Sequence, residues 1–281
     1  MIRNPVVWTW DQVRAASGVI DGVGRAQGSV PERLIVHRIT YADLRTALAK
    51  GLADFNADPT HYVFLCALYP VIGFVLGKVV AGAGSLHLFF PLISGFALIG
   101  PISAVGIYEL SRRREAGVPV SWTDAFRVLS SPSLNQIIKL AVLFAAIFAV
   151  WLLAADLLYR FTLGRLAPQS AGIFFHDIFT TTPGLVMLIA GNVIGFCFAV
   201  LVLVLGTVSF QSALDQNVSA EIALRASIRA ARVNPGPVAA WGLIVAVLLG
   251  LGTITLLMGL AVVLPVLSHA SWHLYRRLVS A

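Results

Sequence analysis

The sequence predicts an all-α, polytopic membrane protein. It has six transmembrane helices arranged as three repeated helical hairpins, each preceded by a cytoplasmic amphipathic helix. Three observations predict this. The first is composition: 58% of the 281 residues are hydrophobic, only 12% are charged, and the mean hydropathy is +0.86. A soluble domain carries about 25% charged residues. The second is a set of apolar runs that reach the roughly 20 residues a helix needs to cross about 30 Å of hydrocarbon. The third is internal repetition. Gly95 to Arg113 (GFALIGPISAVGIYELSRR) returns as Gly259 to Arg277 (GLAVVLPVLSHASWHLYRR). Without gaps the two match at Gly95/Gly259, Ala97/Ala261, Pro101/Pro265, Leu110/Leu274, Arg112/Arg276 and Arg113/Arg277, with Tyr108 opposite Trp272. A weaker third copy starts at Gly195, where Gly195-Phe196 and Gly206 repeat Gly95-Phe96 and Gly106. Self-similarity at this spacing implies a copied supersecondary unit.

Residues 1–36 read as a flexible cytoplasmic arm, since Gly18, Gly22, Gly24, Gly28 and Pro31 break any long helix. No continuous apolar stretch of signal-peptide type precedes the first span, so that span is expected to direct its own insertion. The membrane domain is then 37–281, with repeats at about 40–117, 121–215 and 218–277. From Thr40 to Phe55, Leu44, Leu48, Leu52 and Phe55 recur at spacings of four and three and predict one apolar stripe. Thr40, with Asp43 three residues on, predicts the N-cap, and Asp58-Pro59 the end. Such a helix is expected to lie on the membrane surface or on the loops.

The first two spans are predicted at about 61–80 and 86–110. Pro91, Gly95, Gly100, Pro101 and Gly106 make the second a kinked helix with close neighbours. Trp122, Phe126 and Leu129 predict a second amphipathic helix, ended near Ser131-Pro132. The third span is expected at 134–159 and the fourth at 185–210. Between them Phe174, Phe175, Ile178 and Phe179 form an apolar face in the outer interface. A third amphipathic segment, Glu221 to Val233, ends at Asn234-Pro235. Residues 237–275 contain no Lys, Arg, Asp or Glu, too long a run for one span and right for two, turning near Gly250 to Thr253.

Six spans with both termini on one side place there all of the 20 Lys and Arg except Lys78, Arg160 and Arg165. The positive-inside rule makes that side cytoplasmic, and the predicted location is a bacterial inner membrane. The formal charge of +7 therefore reads as topology and contact with anionic lipids rather than nucleic-acid binding. Cys66 and Cys197 each sit in an apolar run and suggest no disulfide framework.

Several stretches together resemble a family of predicted proteobacterial inner-membrane proteins that carry a domain of unknown function. They are RITYADLRTALAKGLADF (38–55), GFALIGPISAVGIYELSRRREAG (95–117), SWTDAF (121–126), TTPG (181–184), Asn234-Pro235 and LPVLSHASWHLYRR (264–277). Some members carry a label likening them to a cytochrome oxidase subunit. The resemblance implies a multi-span helical fold and brings no catalytic or binding residue. Gln211 stands where the pattern has a proline, which implies a less kinked fourth helix.

Candidate chemistry is sparse. His269 and His273 are four apart on one helix face and are the candidate cofactor-binding pair, although no third ligand accompanies them. No metal site and no resident cofactor are predicted. Glu109 is expected to pair with Arg112 or Arg113, and Asp156 with Arg160 four residues on. Asn192, between Gly191 and Gly195, is expected to make an interhelical hydrogen bond. Gly100, Pro101 and Pro265 are structural or gating candidates, because broken helices surround the cargo site in many transporters. There is no phosphate loop, nucleophile elbow or Cys-x-x-Cys. The expectation is thus a non-catalytic accessory or scaffold for a membrane complex. The alternatives are a small-solute transporter or channel and a haem- or quinone-associated respiratory factor.

Overall fold

The computed structural model describes residues 34–57, 78, 86–164, 171–255 and 257–280. Asp58-Pro59, Cys66, most of the arm and the predicted first span apart from Lys78 lie outside the described residues. The described chain is helical apart from two short strands, β1 (Ile35–Val36) and β2 (Val279–Ser280). These pair antiparallel, Ile35 opposite Ser280 and Val36 opposite Val279. Residues 34–36, read as the end of the arm, are therefore tied to the last residues of the chain, and His37 N–H continues the tie by donating to Leu278 O at 2.8 Å.

Helix α1 (Tyr41–Ala57) starts where the sequence places it. The Asp43 carboxylate accepts from both Thr40 N–H, at 2.9 Å, and the Thr40 hydroxyl, at 2.8 Å. Its contact face differs from the predicted stripe. The buried positions are Leu44, Ala47, Gly51 and Phe55, while Leu52 is 47% exposed. α1 does not lie free on a surface. It packs along α10 (Leu260–Leu278), the most extensive helix pairing among the described residues. Small residues set that contact: a Cβ built on Gly51 would stand 2.6 Å from Ala270 N and 2.8 Å from its Cα. The last turn of α1 closes on α3 (Val105–Glu115), with Phe55 against Leu110 and Val266.

The predicted second span is α2 (Phe89–Ser103) followed by α3, with Ala104 between them. Pro101, which has no N–H to give the ladder, lies inside α2, and the helix is interrupted three residues later at Ala104. The second amphipathic segment, Trp122–Ser130, is a 3₁₀ helix rather than an α-helix. It stops because Ser131 is extended (φ −74°, ψ 141°) ahead of Pro132. Its apolar face is exposed at Trp122, Phe126 and Leu129.

Three described stretches are long and apolar enough to cross a bilayer: α4 (Leu134–Thr162), Thr182–Gln216, and α9 (Pro235–Ile254). Between the first two lies α5 (Ala171–Thr180). The stretch Thr182–Gln216 is α6 (Thr182–Gly206) and α7 (Ser209–Gln216), broken at Thr207-Val208. The absence of a proline at 211 thus does not give the straighter helix expected. α6 shows little of itself to the protein, with Leu185, Ile189, Val193 and Phe196 all exposed. Where it does touch α4, glycine permits it, Gly195 against Trp151 and Gly206 against Phe144. α7, in contrast, is buried from Ser209 to Leu214.

The third amphipathic segment is α8 (Ala220–Val233), N-capped by Ser219, whose Oγ accepts from Ile222 N–H. The charge-free run 237–275 falls into α9 and α10, as two helices rather than one. The α8–α9 corner is held by Asn234, 3% exposed. Its Oδ1 accepts from Ile39 N–H at 2.8 Å and its Nδ2 donates to His37 O at 3.0 Å. Asn234→Ala would leave the buried Ile39 N–H unsatisfied, at a cost of about 2 kcal/mol. A thermal melt should show a lowered midpoint, and protease should reach residues 34–40 first.

Candidate functional site

The densest polar network joins α1, α3 and α10 around Asp54. Its carboxylate lies 2.8 Å from His273 Nε2, 3.6 Å from His269 Nδ1 and 3.6 Å from Arg114 Nη1. His269 is 1% exposed, and its Nδ1 is also 2.6 Å from Ser111 Oγ. Burial pushes the Asp54 carboxyl up, but the hydrogen bond from His273 and the neighbouring basic groups, the Arg114 guanidinium among them, outweigh this. The net effect leaves it below the ordinary carboxylate value of 3.8.

Serine, histidine and aspartate therefore meet, but not as a hydrolytic relay. A relay passes the proton through the imidazole, with serine on one nitrogen and the carboxylate on the other. Here both Ser111 and Asp54 address Nδ1 of His269. His273, the other candidate ligand, has its Nε2 on Asp54. Among the described residues no group of three or more His, Cys, Asp or Glu is placed to hold a metal ion.

The network continues along α10. Trp272 Nε1–H donates to Glu115 at 3.1 Å, and Arg276 bridges Glu115 and Asp215 at 3.1 and 3.2 Å. The Tyr275 hydroxyl donates to Asp215 at 2.8 Å. Glu109 pairs with Arg112 at 2.8 Å and with Arg113 at 3.9 Å, the local pairing its spacing predicts. Asp54, Ser111, Glu115 and Asp215 were not legible as site residues, because their partners lie far off in sequence.

A second ensemble lies at the C-terminal end of α4. A cavity of about 570 Å³ opens between the start of α2, α4, α5 and α6, walled by Phe89, Phe90, Trp151, Phe175 and Phe179. Asp156 takes hydrogen bonds from Arg160 Nε at 2.7 Å, as its spacing predicts, and from His87, 3.0 Å away. The His87 ring stacks on Tyr159, with centroids 4.0 Å apart. α5 divides its expected apolar face: Phe174 and Ile178 close over Tyr159, while Phe175 and Phe179 stay exposed. Asn192 lines the cavity and, among the described residues, does not bond across helices. Its Nδ2 donates to Leu188 O of its own helix at 2.7 Å. Gly100 would meet nothing within 4 Å if given a side chain. Pro101 touches the α6 end at Gly206, and Pro265 is buried within α10.

Residues 89–215 match the model of a family described as "Predicted integral membrane protein (DUF2189)". The DUF2189 match runs from the first residue of α2 into α7, so it contains both spanning walls of the cavity and all of its lining except His87. It also contains Ser111, Arg114, Glu115 and Asp215, whereas Asp54, His269 and His273 lie outside it. Searches of the curated proteins and of the solved structures find no match. The DUF2189 match and the three apolar helices agree on an integral membrane protein.

Proposed function

We propose that the chain crosses a bacterial inner membrane six times as three repeated hairpins, with both termini in the cytoplasm. In this reading it is a non-catalytic accessory or scaffold for another membrane complex. One observation carries it: the polar groups around Asp54 are spent on one another. Asp54, Ser111, Glu115, Asp215, His269, His273 and Arg276 tie α1, α3, α7 and α10 together. What is left facing outward is apolar, along α4, α6 and α9, and suits lipid and helix partners. The 3₁₀ segment, with Trp122 and Phe126 exposed and Arg127 beside them, suits an anionic headgroup layer three residues before α4 begins.

Native mass spectrometry of gently solubilised membranes tests the role. A partner protein is expected at fixed stoichiometry, and a lone monomer would count against the reading. Reporter fusions test the topology. The carboxyl end is expected in the cytoplasm and the bend after Gly250 on the opposite face.

The broken α6–α7 stretch favours a second reading as a small-solute transporter. Ser209, Gln211 and Ser212, directly after the break, have buried side-chain oxygens without a hydrogen-bond partner. Backbone and side-chain oxygens at such breaks hold ions in transporters. Ion or solute flux in reconstituted liposomes would favour this reading over the first.

A further inference from the structure

We propose that the cavity between α2, α4, α5 and α6 binds a neutral lipophile whose aromatic ring bears a hydroxyl group, an alkylated phenol or hydroquinone, with Asn192 as its polar contact. The inference goes beyond the scaffold reading and needs only that α4 and α6 cross the membrane.

Four observations point to this class. The volume, about 570 Å³, lies in the range of small-molecule sites. Two of the walls are candidate spans, so the ligand enters from hydrocarbon and must be lipid-soluble. The charge beside the cavity is settled within the protein, because Asp156 is met by both Arg160 and His87. A cationic ligand would find no free carboxylate there, and a neutral one needs none; the buried Nδ1 of His87, which also lines the cavity, is a site for a second hydrogen bond. The walls carry rings, Phe89, Phe90, Trp151, Phe175 and Phe179 among them, beside apolar side chains such as Leu158 and Met187, and those rings favour edge and offset contacts with a flat ring over an alkyl chain alone.

Asn192 supplies the direction of the hydrogen bond. Its Nδ2 sits 2.7 Å from Leu188 O, a distance that only the amide nitrogen can hold against a carbonyl. The amide oxygen is then the free acceptor, with no partner among the described residues. An unmet acceptor facing hydrocarbon is costly, and a ligand hydroxyl satisfies it. A saturated acyl chain fills the same volume and leaves the amide as it was.

The test uses the full chain in nanodiscs and three probes: 4-decylphenol, decylbenzene and dioleoylglycerol, titrated by native mass spectrometry. 4-Decylphenol is expected to bind one to one, about tenfold tighter than decylbenzene, the equivalent of one hydrogen bond. Asn192→Leu should remove that preference and leave decylbenzene unchanged. Ala155→Phe, which fills the cavity, should abolish both. Among the described residues Asn192 bonds only its own helix, so the leucine variant reads the site even where Ala155→Phe fails to fold. Equal binding of 4-decylphenol and decylbenzene, or a preference that survives in Asn192→Leu, overturns the proposal. Dioleoylglycerol binding as tightly as 4-decylphenol also overturns it, because the cavity would then take a membrane lipid by its hydroxyl and not by a ring.

Discussion

Gly51→Ala is expected to destabilise the protein by about 2–3 kcal/mol, although alanine is the better helix former by about 1 kcal/mol. The sign is decided by what the new methyl meets. It would stand 2.6 Å from Ala270 N, 2.7 Å from Ala270 Cβ and 2.8 Å from Ala270 Cα. Two of those atoms are backbone and cannot rotate aside, so α1 and α10 must separate. Separation also opens the neighbouring contacts of Leu44, Ala47 and Phe55, all buried. The double change Gly51→Ala with Ala270→Gly should recover only part of the loss, because it relieves the Cβ contact and leaves the two backbone ones. Ala49→Leu, on the exposed side of the same helix, should stay within about 0.5 kcal/mol of the parent. Thermal melts in detergent measure all three. A Gly51→Ala protein as stable as the parent would mean that the two helices are not in this contact.

The same contact explains what could and could not be read in the sequence. The long helices were legible, since runs such as 134–162 and 237–275 carry their own solvent preference. Local devices were legible too. Thr40 with Asp43, Glu109 with Arg112, and Asp156 with Arg160 are three or four residues apart, and helical geometry alone brings them together. The contact face of α1 was not. Hydrophobic periodicity weights large side chains and so selects Leu44, Leu48, Leu52 and Phe55. Two helices in close approach select for missing side chains, hence Ala47 and Gly51, and Leu52 turns outward. The polar partners of His273, Trp272 and His87 were beyond reach for a plainer reason. Asp54, Glu115 and Asp156 lie 219, 157 and 69 residues away from them along the chain. Asn192 was misread in the opposite sense. A mid-span asparagine suggests a neighbour across the interface, but a carbonyl four residues back in its own helix is closer at hand.

Asp54→Ala should cost about 3 kcal/mol, since it strips one carboxylate from two histidines and an arginine at once. The figure stays at the lower end for a buried pair because Arg114 keeps a quarter of its side chain in solvent and can rehydrate. Asp54→Asn keeps the shape and one acceptor oxygen, and should cost less. Coupling separates the pair from mere packing: Asp54→Ala and His273→Ala together should fall short of the sum of the two by at least about 1 kcal/mol. A second, independent readout is pH. The Asp54 carboxyl is held below its ordinary value of 3.8 in the folded chain, so folding favours the ionised form. Its contribution is complete above that ordinary value and disappears as the pH falls through the lower, folded one. The parent should therefore lose midpoint temperature in acid, below about pH 4, more steeply than Asp54→Ala. The two curves should converge at the acid end, where the parent's carboxyl is protonated as well. Parallel curves over the whole range, together with strictly additive substitutions, would show that Asp54 fills space at the α1–α10 contact without holding it by charge.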